Sequence, residues 1–197
     1  MARLTRQEAQ VRTREHLLGT ATEHFLGHGY AAASPEQIAE DAGYPKGAIY
    51  SNFVNKEELC LEVLQRIRFA KMAEIAATIT DQLSIEANLT AVQDWAETTI
   101  GDQRWTLLEL EFAVCSRHSE DIRVAIATAA GNARALIESL IDSLASKFGF
   151  VPTISADAAA TMLLSVGIGL GLQRALAPRV SVDALTDTLR ALVGGTR

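Results

Sequence analysis

A short segment near the N-terminus combines small, polar and basic side chains at helical spacing. Residues 46–53 read KGAIYSNF. At about 100° per residue, Ile49 and Phe53 share one face of this helix, where they would pack on their own domain. The opposite face carries small residues that would let the helix axis approach base edges closely: Gly47, Ala48 and Ser51. The pattern predicts a helix that enters the major groove of DNA.

The flanks of the same helix carry groups that bind phosphate. Tyr50 and Asn52 present a hydroxyl and an amide, and Lys46 stands at the helix start, where free backbone N–H groups also attract anions. Lys56 follows in the first turn of the next helix, where a positive charge opposes the helix dipole by about 0.3–1 kcal/mol. A bound DNA phosphate would explain that lysine, and so would an exposed lysine whose stem covers apolar surface.

The residues before this helix predict another short helix, joined to it by a glycine turn. Ser34 is a favourable N-cap, Pro35 suits the first helical position, and Gln37 would complete a capping box. Gly43 suits the left-handed turn that ends this helix. Together with Ile49 as an apolar anchor, the pair predicts a helix-turn-helix.

Helical patterns cover almost the whole chain, and no segment sustains the period-two alternation of a strand. A first helix carries one apolar face, Val11, Leu18, Ala21 and Phe25, and would end at Gly27 and Gly29. Asn55 and Glu58 would cap a long helix that runs to about Thr80. Further helices are predicted over residues 84–101, 105–118, 120–148, 155–177 and 181–193. We expect an all-α fold of about nine helices, with a three-helix domain at residues 1–56 and a larger helical domain at residues 57–197.

The acidic balance of the chain lies outside the predicted helix-turn-helix domain. Of 18 basic and 24 acidic residues, residues 1–56 contain six of each, and the other 12 and 18 account for the net charge of −6. Four of the first 14 residues are arginines. Since phosphate binding depends on local charge, the acidic total does not exclude a nucleic-acid partner.

No constellation in the sequence indicates an enzyme or a cofactor. Cys60 and Cys115 lie in helical patterns, where we expect small buried residues and no metal or disulfide framework. His24 and His28 stand four residues apart without an obvious third ligand, so we expect solvent-facing side chains and no metal site. The GIGLG run at residues 167–171 lacks the preceding strand and the last glycine of a dinucleotide fingerprint.

Nothing in the sequence predicts secretion or a membrane partner. The N-terminal residues have no apolar signal-peptide core. The weakly polar run at residues 158–172 is shorter than the roughly 18 residues of a spanning helix, so we expect it to form a buried helix. These features favour a cytoplasmic protein.

Three ordered, gap-free segments carry a family resemblance. They are FLGHGY at residues 25–30, IAEDAGYPKGAIYSNF at 38–53 and KEEL at 56–59. Over about residues 10–60 the chain resembles the N-terminal DNA-binding domain of the TetR family of bacterial transcriptional regulators.

The resemblance implies a homodimer, most often a repressor, that binds a palindromic double-stranded DNA operator and is released by a small-molecule effector. The residues that it places against DNA are Ser34, Lys46, Gly47, Ala48, Tyr50, Ser51, Asn52 and Lys56. Ala33 and Pro45 depart from the family pattern, which often has Thr and Ser there. A phosphate contact would be missing at Ala33, and Pro45 lacks both a hydroxyl and a backbone donor.

The remainder of the chain would bind the effector and form the dimer. Several apolar residues at helical spacing would either line an effector pocket or belong to an ordinary core: Trp95, Trp105, Leu108, Phe112, Cys115 and Met162. The three glycines at residues 167–171 each cost about 1 kcal/mol inside a helix, which close helix packing would offset. The resemblance places the helices at 155–177 and 181–193 at the dimer contact.

Two other functions stay open at this point. A transcriptional activator of the same family would use the same DNA contacts with a different output. A helical small-molecule binding protein without DNA-binding activity would share the fold.

Overall fold

The computed structural model describes residues 5–80 and 83–194, except for the side chain of Thr80. Within these residues the chain forms nine α-helices and no strand, as the sequence predicts. They are α1 (Arg6–Ala32), α2 (Pro35–Asp41), α3 (Gly47–Asn52), α4 (Lys56–Thr80), α5 (Ile85–Thr99), α6 (Gln103–Cys115), α7 (Glu120–Phe148), α8 (Ala156–Leu176) and α9 (Asp183–Val193).

The chain divides into two compact units. The first unit comprises Met1–Ile67 and Leu107–Arg123, and the second comprises Arg68–Thr106 and Val124–Arg197. Both α4 and α6 therefore continue from one unit into the other. The functional domain boundary at residue 56 stays a prediction.

The first unit is built on α1, α2, α3, the start of α4 and most of α6. Its fully buried side chains include Leu17, Phe25, Ile38, Ile49, Leu59, Leu64, Leu108 and Phe112. The predicted apolar face of α1 is buried from Leu18 to Phe25, but Val11 is 58% exposed and is not part of the core. That face begins only at Leu17, because the N-terminal half of α1 is solvent-exposed.

Backbone turns and caps fix the helix-turn-helix. Gly29 (φ 79°, ψ 174°) interrupts α1, whereas Gly27 stays helical and is not a stop. Ser34 accepts a hydrogen bond from the Gln37 N–H at 3.3 Å, which confirms the N-cap. The predicted capping box is wrong, because the Gln37 side chain donates to Asp41 Oδ1 at 2.8 Å. Gly43 has φ 77°, as the turn requires.

Two further side chains differ from expectation. His24 is only 15% exposed, and its Nε2 lies 2.8 Å from Asp41 Oδ2, so it joins α1 to α2 instead of facing solvent. Cys60 is buried as expected, but Cys115 is exposed. Over the described part of the chain, no group of three or more His, Cys, Asp or Glu residues is placed to hold a metal ion.

The second unit contains α5, α7, α8 and α9 around its own apolar core. The core includes Ile75, Val92, Ala96, Ile141, Leu163, Leu170, Val182, Leu185 and Leu192. Arg174 donates hydrogen bonds to three backbone carbonyls, those of Glu97 (3.0 Å), Ile100 (2.8 Å) and Val180 (2.6 Å). This arginine therefore holds the end of α5 and the segment between α8 and α9.

Both α7 and α8 are long and apolar enough to cross a membrane by length and composition. Their mean hydropathies over 18 residues are 1.3 and 1.4, which corrects the expectation that the run in α8 is too short. Only 6% and 28% of those residues are buried inside the chain, so α8 is not the fully buried helix expected. A soluble protein with a partner over these helices would show the same composition, so the composition alone is weak evidence for a membrane.

Candidate nucleic-acid interface

The third helix presents the two faces that the sequence predicts. Ile49 and the following Phe53 are each 2% exposed and anchor α3 in the first unit. Gly47 and Ser51 are exposed on the other side, and Tyr50 is 53% exposed. With its small exposed residues, α3 can approach the floor of a groove without a bulky side chain in the way.

Two of the polar side chains on α3 are engaged with the helix itself. Ser51 Oγ donates to the Ala48 carbonyl at 2.9 Å. Asn52 Nδ2 donates to the same carbonyl at 2.8 Å and to Ser51 Oγ at 3.3 Å. Asn52 Oδ1 is buried and has no hydrogen-bond partner in residues 5–80 and 83–194. Because both protons of its NH2 group are used, the predicted phosphate contact of Asn52 would require it to give up one of these two hydrogen bonds.

Glu36, which sequence reasoning missed, accepts hydrogen bonds from two of the residues predicted to contact DNA, Ser34 and Tyr50. Its Oε2 accepts a hydrogen bond from Ser34 Oγ at 3.0 Å, and its Oε1 accepts one from Tyr50 Oη. The Tyr50 hydrogen bond, with smaller contributions from the Glu36 N–H, Ser34 and nearby Lys46, lowers the pKa of the Glu36 carboxyl. The same bond raises the pKa of the Tyr50 phenol. The sequence alone gives little reason to single out Glu36, since an acidic residue in the first turn of a helix is common.

The Lys56 ammonium group contacts other residues of the first unit. Its Nζ donates to the Ala31 carbonyl at 3.0 Å and lies 4.8 Å from the centroid of the Tyr30 ring. The carbonyl and the ring stabilise this charge without a DNA phosphate. The predicted phosphate contact of Lys56 stays a prediction.

A carboxylate from α6 holds the junction between α1 and α2. Glu111 accepts hydrogen bonds from the Tyr30 N–H at 2.7 Å and the Ala31 N–H at 2.9 Å. Gly29 permits this approach, because a Cβ at that position would lie 2.5 Å from Glu111 Oε2. The Tyr30 ring packs edge-on against Phe112, with centroids 5.2 Å apart. This contact joins residues about 80 positions apart, which no local pattern predicts.

The basic residues near the N-terminus have different surroundings. Arg14 pairs with Glu62 through its two terminal nitrogens, Nη1 and Nη2, and its guanidinium carbon lies 4.7 Å from the centroid of the Phe53 ring. Arg14 is therefore engaged between α1 and α4. Arg6 and Arg12 are exposed and remain candidates for phosphate contact, whereas Arg3 lies outside the described residues.

The six residues predicted for an effector pocket are distributed over both units. Leu108 (1% exposed), Phe112 (0%) and the exposed Cys115 belong to the first unit. The others, Trp95, Trp105 and Met162, belong to the second unit. A groove of about 470 Å³ in the second unit is lined by Ser84, Leu89, Phe148, Arg190 and their neighbours, and by none of these six residues. The pocket therefore stays a prediction.

Two family models match the chain. Residues 17–63 match "Bacterial regulatory proteins, tetR family", and residues 85–196 match "BetI-type transcriptional repressor, C-terminal". The second match alone covers more than half of the chain. The two matches together contain α2, α3 and α5 to α9 in full, and parts of α1 and α4.

Individual relatives and solved structures agree with these matches. The chain is 37% identical to the regulator SrpR of Pseudomonas putida over 92 residues, which are 47% of this chain and 41% of SrpR. It is 33% identical to AcrR of Shigella flexneri over 119 residues, 58% of this chain and 54% of AcrR. These alignments thus span about half the length of the relatives.

Solved structures share the fold over nearly the whole chain. Reduced NemR of E. coli has a TM-score of 0.74 at 20% identity, over 94% of this chain and 100% of NemR. A complex of SmeT with triclosan has a TM-score of 0.68 at 26% identity and covers 93% of both chains.

Proposed function

Because the chain belongs to the TetR family of bacterial regulatory proteins, we propose that it is a cytoplasmic transcriptional repressor that binds an operator as a homodimer and is released by a small molecule. One observation carries the DNA-binding part of this proposal. It is the two-faced α3, which buries Ile49 and exposes Gly47, Tyr50 and Ser51.

The proposed contacts follow from the chemistry of α3. Gly47, Ala48 and Ser51 would face base edges, and Lys46 would contact a phosphate at the groove wall. Tyr50 would contact a phosphate only where its hydroxyl leaves Glu36. In a dimer, two copies of α3 would read half-sites about 34–36 Å apart, one turn of DNA. The operator would therefore be a palindrome with that spacing.

The surface of α8 supports a second copy of the chain as its cover. Ile168 is 63% exposed, Leu172 38% and Leu176 71%, and their spacing of four residues aligns them as one exposed apolar stripe along α8. Gly169 lies beside this stripe, and a Cβ placed on it would meet no described atom within 4 Å apart from its own stretch of helix. A partner helix could therefore approach this face closely. We propose that α8 and α9 form the dimer contact.

The second unit contains polar atoms that an effector could satisfy. The indole Nε1 atoms of Trp95 and Trp105 and the Oδ1 atom of Asn88 are buried, and none has a hydrogen-bond partner in the described chain. Leaving such a group unpaired costs about 1–3 kcal/mol. An apolar molecule would remove this cost at a tryptophan by offering an acceptor to the indole N–H, and at Asn88 by offering a donor to Oδ1. The similar protein SmeT is solved as a complex with triclosan.

Release from the operator would use the helices that pass through both units. Since α4 and α6 are continuous across the division of the chain, an effector that favours one arrangement of the second unit can act on the first through them. Glu111 on α6 contacts the α1–α2 junction directly. The effector needs only a higher affinity for the arrangement that does not bind DNA.

The proposal is tested by binding to the DNA upstream of the protein's own gene. The full chain should bind a labelled fragment of that DNA more tightly than a scrambled fragment of equal composition. A reporter gene behind the fragment should be expressed less when the protein is present. Equal affinity for both fragments would refute the proposal that the upstream DNA contains an operator. Increased expression of the reporter gene would identify an activator instead.

A further inference from the structure

We infer that Glu36 determines the specificity of operator binding, by repelling phosphate and by accepting a hydrogen bond from a cytosine amino group in each half-site. This inference rests on the proposed DNA-binding function. It concerns a residue that lies in α2, outside α3.

The position of Glu36 brings its carboxylate beside the proposed DNA contacts. It stands in the first turn of α2, and its two oxygens accept hydrogen bonds from Ser34 Oγ and Tyr50 Oη. Ser34 is only partly buried and Tyr50 is 53% exposed, so both hydroxyls lie at the surface that α3 presents. The Glu36 carboxylate thus accepts hydrogen bonds from two hydroxyls that would otherwise donate to phosphate.

This arrangement makes the surface unfavourable for an arbitrary DNA backbone. A hydroxyl whose proton is directed to Glu36 presents only lone pairs to an approaching phosphate. Freeing the hydroxyl would leave the carboxylate unpaired beside a second negative charge. Lys46 lies close enough to help lower the pKa of Glu36, so part of its charge is directed to the carboxylate as well. DNA that offers only phosphates is therefore bound weakly.

The same carboxylate can still accept a hydrogen bond from a base. An ionised carboxylate has about four lone-pair sites, and the two hydroxyls and the N–H of Glu36 itself take three of them, which leaves one. In the major groove, cytosine presents the N4 amino donor that Asp and Glu side chains accept. A half-site with cytosine opposite the start of α2 would supply that donor. Other sequences would leave the repulsion between the Glu36 carboxylate and the DNA phosphates uncompensated.

The test compares Glu36→Gln with Glu40→Gln in the full-length protein. Glu40 is exposed on the same helix, so the control removes the same charge without touching Ser34 or Tyr50. Each protein is incubated at fixed salt with a duplex library randomised across the half-site, and the bound sequences are read. Affinity for a duplex of arbitrary sequence is measured in parallel, and thermal unfolding checks that each variant is folded.

For each half-site, we expect Glu36→Gln to bind arbitrary DNA about fivefold more tightly than Glu40→Gln, the effect of one pair of unit charges repelling at contact distance in water. We also expect a preference for cytosine of about tenfold in the wild type that the variant loses. A Glu36→Gln protein with the base preference of the wild type would overturn the inference, whatever its affinity for arbitrary DNA. Failure of the wild type to select any sequence would instead refute the proposed function.

If Glu36→Gln is unfolded, Tyr50→Phe provides a second route. This variant lacks the Tyr50 hydroxyl that donates to Glu36, and the Glu36 carboxylate keeps its charge and can accept a hydrogen bond from a base. The variant should keep or strengthen the cytosine preference. A loss of that preference in folded Tyr50→Phe would show that Tyr50, and not Glu36, reads the base.

Discussion

The contact between Glu111 and the α1–α2 junction predicts a measurable loss of stability when it is removed. Glu111→Ala deletes the acceptor of two backbone N–H groups, those of Tyr30 and Ala31. The Tyr30 N–H is partly buried, and a hydrogen bond to a charged group contributes about 1.5–3 kcal/mol. The Ala31 N–H is exposed and can bind water instead, so it adds little. We expect a loss of about 2–3 kcal/mol in the free energy of unfolding.

The conservative variant should show which part of this effect is due to charge. Glu111→Gln keeps one side-chain oxygen that can accept a neutral hydrogen bond, so it should lose only about 1 kcal/mol. Glu120→Ala is the matched control. Glu120 lies in the same unit, its side chain is 78% exposed, and it pairs with Arg123 on its own helix. Such an exposed pair contributes less than about 1 kcal/mol.

Urea unfolding followed by circular dichroism, at one protein concentration, measures these differences. Hydrogen exchange adds a local readout, because the amide protons of Tyr30 and Ala31 should lose protection in Glu111→Ala. If Glu111→Ala were as stable as Glu120→Ala and kept the protection of both amides, the α6 carboxylate would not hold this junction.

Three further predictions concern other parts of the chain. Gly101→Ala should destabilise the protein by at least about 2 kcal/mol more than Gly149→Ala. Both glycines have a positive φ, but only at Gly101 would a Cβ clash with a neighbour, the Cβ of Arg174 at 2.2 Å. Equal losses of the two variants in urea unfolding would refute this clash. Burial raises the pKa of Tyr30 from 10.0 to about 12, so the stability it contributes is complete below pH 10 and is lost as the pH rises through 12; Tyr30→Phe should remove that dependence. Both tryptophans lie in the second unit, so an effector that binds there should change the intrinsic fluorescence, and an operator-releasing compound that leaves it unchanged would place the site elsewhere.

The sequence predicts the elements of this fold because its signals are local. Ser34 and Asn55 cap the helices that they were expected to cap, and Gly43 has the positive φ of its turn. The spacing of Ile49 and Phe53 also identifies the buried face of α3 correctly. Each of these signals depends on neighbours within about one helical turn.

The contacts that tune the interface could not be predicted in the same way. Glu36 bonds Tyr50 across 14 positions, and Glu111 bonds Tyr30 across 81. Both depend on how helices pack, which helical periodicity does not encode. Composition misleads at α8 for a related reason, since the apolar content of a helix does not say whether its own chain covers it.

The salt dependence of DNA binding tests the central claim, that α3 and its flanks bind an operator. Affinity for the upstream fragment should be measured at several salt concentrations for the wild type and for Lys46→Ala. The account predicts that log K falls linearly with log salt, by about 0.9 for each phosphate neutralised, and that Lys46→Ala has a shallower slope by about that amount per protomer. Weak binding without a salt slope, or an identical slope for Lys46→Ala, would contradict it.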